Sequence, residues 1–113
     1  MAYNDFMFTF IELTSFARVR EDYFDDDEFA EFQHHLASNP AAGAVIPETG
    51  GVRKIRWARA GSGKRGGLRV IYYVQDHLGR IWLMTVYAKS AQENIAVKTL
   101  LKLKDLIDHA KID

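Results

Sequence analysis

The chain has no cysteine among its 113 residues. Disulfides, thiolate zinc sites and a cysteine nucleophile are thereby excluded, which is neutral to favourable for a reducing cytoplasm. No stretch approaches about 18 uncharged apolar residues, so no segment is expected to span a membrane. The first residues, Met1 to Thr9, lack a basic segment and include Asp5, unlike a signal peptide. Proline occurs twice, at Pro40 and Pro47. Internal repeats and low-complexity segments are missing. One further absence is local. Between Thr49 and Gln75 there is no Asp or Glu, while seven Lys or Arg fall there.

What is present points to one domain, residues 1–113. A chain of this length buries roughly two-thirds of its unfolded surface. The 48% apolar and 12% aromatic content suits a packed core and not a disordered chain. The formal net charge of zero hides an asymmetry. Residues 1–48 hold ten acids and two bases, whereas residues 49–113 hold thirteen bases and five acids. Such a split suggests a polyanionic partner for the basic part, set against a merely bipolar surface.

The hydrophobic pattern predicts an α+β domain in the order β-α-α-β-β-β-α. Phe6 to Leu13 reads as a strand. Thr14 or Ser15 would cap a helix carrying Phe16, Val19 and Tyr23. Asp25 to Glu28 opens a second helix, with Phe29, Phe32 and Leu36 on one stripe, ended by Asn39-Pro40. After a loop the period changes to two, with Lys54 and Arg56 on one face of a strand over 52–58 and Ile55 and Trp57 on the other. Leu68 to Gln75 and Arg80 to Lys89 complete an antiparallel meander. Ser90 to Glu93 matches a capping box for a last helix, which carries Ile95, Leu100, Leu103, Leu106, Ile107 and Ala110 on one side.

Gly61-Ser-Gly63-Lys-Arg-Gly66 formally fits G-x-G-x-x-G, but a strand follows where a dinucleotide site needs a helix. A Walker A loop fails too, because Ala58 and Arg65 stand where glycine and Ser or Thr belong. What remains is a hairpin tip bearing Lys64 and Arg65, either solvated or touching nucleic acid. The strand cations are the sharper signal. Lys54, Arg56 and Arg69 can share one face of paired strands, an arrangement costly to desolvate without an anion. Phosphate is the natural anion, since Arg binds it bidentately. The competing reading is a charged sheet edge that resists aggregation. His34, His35, His77 and His109 lack metal-ligand spacing, so no metal and no cofactor are expected. Trp57, Trp82, Tyr72, Tyr73 and Tyr87 read as core, with strand alternation allowing a tyrosine to face the basic groove.

Three segments together carry a resemblance: Gly50-Gly-Val-Arg-Lys-Ile-Arg-Trp-Ala58, Gly63-Lys-Arg-Gly-Gly-Leu-Arg-Val-Ile-Tyr-Tyr73 and Val86-Tyr-Ala-Lys-Ser90. They resemble the HigB-like branch of the RelE toxin family, and the element order agrees. The resemblance implies a toxin of a type II toxin–antitoxin pair, a cytoplasmic endoribonuclease that cuts messenger RNA on the ribosome. Its implied partners are an adjacent antitoxin, of helix-turn-helix type, the ribosome and its message, with no membrane. Carried over by position, Lys54, Arg56, Arg69 and Lys89 are the expected catalytic residues. Arg53, Arg59, Lys64, Arg65, Tyr73 and Tyr87 are expected to bind RNA. The C-terminal tyrosine of RelE proteins has no clear match, since Ile95 is close to its place, which leaves open the general base and whether Tyr73 or Tyr87 substitutes. The alternatives are a non-catalytic nucleic-acid-binding regulator and a catalytically decayed antitoxin partner.

Overall fold

The structure, a computed structural model, describes residues 4–5, 8–58, 67–90 and 94–111. Six strands are described: β1 (Asn4–Asp5), β2 (Phe8–Glu12), β3 (Ala44–Val45), β4 (Arg53–Trp57), β5 (Leu68–Gln75) and β6 (Arg80–Ala88). The helices are α1 (Thr14–Ala17), α2 (Arg20–Tyr23), α3 (Asp26–Ser38) and α4 (Val97–Asp108). All six strands join one sheet in the order β1-β2-β6-β5-β4-β3. As the sequence predicts, β4, β5 and β6 form an antiparallel meander. The β2–β6 pair, however, is parallel. A parallel pair requires a long connection, and the whole of the intervening chain supplies it here.

The central strands β5 and β6 read as nearly unbroken apolar runs because both of their faces are covered. On one face, Leu68, Val70, Tyr72, Ile81, Leu83 and Val86 meet Phe16, Phe24, Phe29, Phe32 and Leu36 from α1 to α3. On the other, Ile71, Trp82, Met84 and Tyr87 meet Leu100 and Ile107 of α4. The register slips between Ile71 and Tyr72: Ile71 faces Thr85 and Tyr72 faces Leu83. Met84 is therefore an extra residue on β6, a β-bulge. It shifts the alternation by one, so Met84 and Tyr87 both face α4 despite their odd spacing. Strict alternation would have turned Tyr87 and Lys89 to the opposite face.

Asp25 closes a capping box on α3. Its Oδ1 accepts from the Glu28 N–H at 2.7 Å, and its own N–H donates to Glu28 Oε1 at 3.5 Å. This secures the helix start without tertiary help. Other expected ends differ. The first helix breaks into α1 and α2 around Val19. Ser15, an expected cap, instead donates its hydroxyl to the Met84 carbonyl and ties α1 to the sheet. The last helix begins at Val97, with no side-chain cap, while Ser90 sits in a turn and residues 91–93 lie outside the described residues. Along α4, Leu100 and Ile107 are buried but Leu106 is 59% exposed. Six residues at about 100° each carry Leu106 some 120° away from Leu100. The buried stripe is thus narrower than the sequence suggests.

Candidate functional site

The site arises where α4 stops covering its face of the sheet. Cross-strand pairing places Arg56 directly opposite Arg69, and Arg69 directly opposite Tyr87. The Lys89 N–H continues the ladder by donating to the Gly67 carbonyl at 3.1 Å. Strand alternation then brings Lys54, two residues before Arg56, to the same face. A cleft of about 240 Å³ is lined by Lys54, Arg56, Arg69, Lys89 and Asn94. It falls below the roughly 300–1,000 Å³ of small-molecule pockets, a size suited to a charged group such as phosphate. An adjoining hollow is lined by Arg56, Trp57, Ala58, Gly67, Arg69 and Lys89.

Each cation is held differently. Lys54 Nζ donates to Asn94 Oδ1 at 3.0 Å, so the residue just ahead of α4 lies against the cluster. Arg69 is half-buried, and its Nη1 donates to the Leu68 carbonyl at 3.2 Å, which steers the guanidinium along the strand. Arg56 and Lys89 are exposed. No carboxylate lines the cleft among the described residues. Tyr87, paired with Arg69 across β5 and β6, is buried on the same face of the sheet. Burial pushes its pKa above 10.0, while the positive charge of Arg69 pulls the other way. It therefore stays protonated at neutral pH.

The four cations expected from the sequence to act together thus share one cleft. The expected RNA-binding residues are not all there. Tyr87 is buried beside Arg69 and is not among the residues that line the cleft. Arg53 points to the other face, where its Nη1 donates to the Gly43 carbonyl at 2.7 Å and holds the loop before β3. Tyr73 pairs with Trp82 at the far end of β5, and its ring lies 4.9 Å from Lys104 Nζ on α4. Arg59, Lys64 and Arg65 lie outside the described residues. Among the described residues no three of His, Asp and Glu converge on a common point. Asn94 went unnoticed in the sequence. It stands forty residues from Lys54 in a loop, and no periodicity marks it.

A model of the RelE toxin of the RelE/RelB toxin–antitoxin system matches residues 9–112. The chain belongs to the RelE toxin family. Its fold is similar to that of an arginine double mutant of the E. coli toxin RelE in the free state. That match has a TM-score of 0.54 at 16% identity and covers 92% of this chain and 98% of that one. This RelE-family protein is accordingly the toxin of a toxin–antitoxin system, of the endoribonuclease kind, with an antitoxin as partner. No helix among its described residues is long and apolar enough to cross a membrane.

Proposed function

We propose that this RelE-family toxin, of the HigB-like branch, is a metal-independent endoribonuclease that cuts messenger RNA on the translating ribosome. It acts in the cytoplasm and is neutralised by a helix-turn-helix antitoxin encoded beside it. The observation that carries the reading is the cleft in which Lys54, Arg56, Arg69 and Lys89 converge, with no carboxylate lining it among the described residues.

RNA supplies its own nucleophile. When the 2′-hydroxyl attacks the adjacent phosphorus, a 2′-O–P bond forms, the P–O5′ bond breaks and one proton must travel each way. The protein's task is to hold the geometry, balance phosphorane charge and serve the two proton transfers. Arg56 and Arg69, paired across β4 and β5, suit the non-bridging oxygens, since guanidinium binds them bidentately. Lys54 can exchange a proton with the 2′-hydroxyl, which a guanidinium cannot. Its bond to Asn94 fixes where the amine sits. Lys89, arriving from the end of β6, serves the leaving 5′-oxygen.

The test uses purified toxin and ribosomes translating a defined message. Cleavage is expected, and a single 2′-deoxynucleotide at the scissile position should abolish it. Normal cutting of that message overturns the mechanism. No cutting of the all-ribose message overturns the nuclease reading and leaves nucleic-acid binding alone. Salt dependence does not separate these outcomes, because phosphate contacts of either kind weaken steeply with salt.

A further inference from the structure

Lys54 and Arg56 also line a second groove, on the outer side of β4, of about 460 Å³ with His35, Ala42, Ala44 and Ile55 as its other walls. It exists because strand pairing stops early. β3 pairs with β4 only at Ala44–Lys54 and Val45–Arg53. The preceding chain turns away: the Ala42 N–H donates to the Asn39 carbonyl, and the Gly43 N–H to the Tyr72 hydroxyl. Among the described residues, Ile55 to Trp57 therefore pair with β5 on one side and have no strand on the other, and that open edge offers backbone donors and acceptors.

The wall opposite is aromatic. The His35 ring lies 5.4 Å from that of Trp57, and Trp57 stands edge-on to Phe32 at 5.2 Å. Phe32 is fully buried, so this row of rings is anchored in the core. The exposed His35 is its outermost member. A supported flat ring beside a cationic cleft is what a splayed-out base stacks on, with little regard to its identity. Lys54 and Arg56 line both groove and cleft, so the two adjoin, and among the described residues the groove lining has no carboxylate.

We propose that this groove is a nucleobase subsite: a base flanking the scissile phosphate stacks on His35 while the phosphate stays between Lys54, Arg56 and Arg69. The inference rests on the RNA cleavage proposed above. It is tested with the full chain and ribosomes programmed with messages abasic at one nucleotide on either side of the cut. One of these abasic messages should be cut about tenfold more slowly by the wild type. His35→Ala should cut the intact message about tenfold more slowly and be insensitive to the same lesion, and His35→Phe should restore both rate and sensitivity. If His35→Ala remains as sensitive as the wild type, the base is not on His35. If His35→Ala and Ala44→Glu instead weaken antitoxin binding while the response to the lesion is unchanged, the groove belongs to the antitoxin and the proposal falls. A wild type that does not cut even the intact message removes the parent reading as well, a distinct result.

Discussion

The two faces of the sheet meet different partners. One is sealed by α1, α2 and α3 with a dense row of phenylalanines; the other is sealed by α4 over only part of its length, and the remainder is the cationic cleft. Both are built on the same strands, with alternate residues serving each. The contrast teaches that the site requires no special scaffold of its own. It is the stretch of sheet that a twelve-residue helix does not reach. Stability should therefore reside mainly on the first face and activity on the second, and each substitution below probes that division.

The largest expected effect is on the sealed face. Phe32 is fully buried and touches both Phe24 and Trp57. Phe32→Ala should destabilise the fold by about 3–5 kcal/mol, read as a lower denaturant midpoint. A loss below about 1 kcal/mol would mean that this face does not dominate the core. Next comes the open face. Arg69→Ala should slow cleavage on ribosomes by about 10²–10³-fold, the scale for removing one transition-state donor. Its denaturant midpoint should stay close to the wild type, because Arg69 is half-buried and its hydrogen bond among the described residues is to its neighbour's carbonyl. Near-normal cleavage by this variant would remove Arg69 from the site.

A smaller effect should link the faces. The buried Tyr72 hydroxyl accepts from the Gly43 N–H at 2.8 Å and donates to the Pro40 carbonyl at 2.7 Å. A Cβ at Gly43 would stand 2.8 Å from the same ring, so glycine and tyrosine fit only together. Tyr72→Phe should cost about 1–3 kcal/mol, the range for leaving buried groups unpaired. Hydrogen exchange should localise the loosening to the loop before β3. Uniform loosening would show that this tyrosine does not anchor the loop.

The smallest effect is with pH. Burial raises the Tyr72 and Tyr87 pKa values above 10.0, offset in part by Gly43 and Arg53 for Tyr72 and by Arg69 for Tyr87. Above about pH 10 the unfolded tyrosines lose protons that the folded ones keep. The native state then binds more protons than the unfolded state, and stability falls as pH rises. Urea unfolding at about pH 9 and about pH 11 measures this. Tyr87→Phe should flatten the decline, and an unchanged slope would show that Tyr87 does not contribute.

Much of this was legible in the residues. The period-two alternation of Lys54 and Arg56, the acid-free stretch around them and the Asp25–Glu28 helix start are local patterns, and each appears as read. Other features depend on distant contacts. Ser15 reads as a cap until Met84 offers its carbonyl. Arg53 reads as one more cation of the basic strand until the loop carbonyl of Gly43 holds it on the opposite face. The capping box at Ser90 matches in letters, yet the helix begins at Val97.

The sequence by itself determined the main strands and helices, the mixed α+β class and the strand that carries the cations, because propensity, alternation and local capping act over a few neighbouring residues. Only the tertiary structure decided which of those cations meet. The extra residue at Met84 turns Tyr87 and Lys89 toward Arg69, and Asn94 closes on Lys54 from forty residues away. Register, bulge and the reach of α4 are set by packing across the whole chain, and the linear order of residues does not encode them locally.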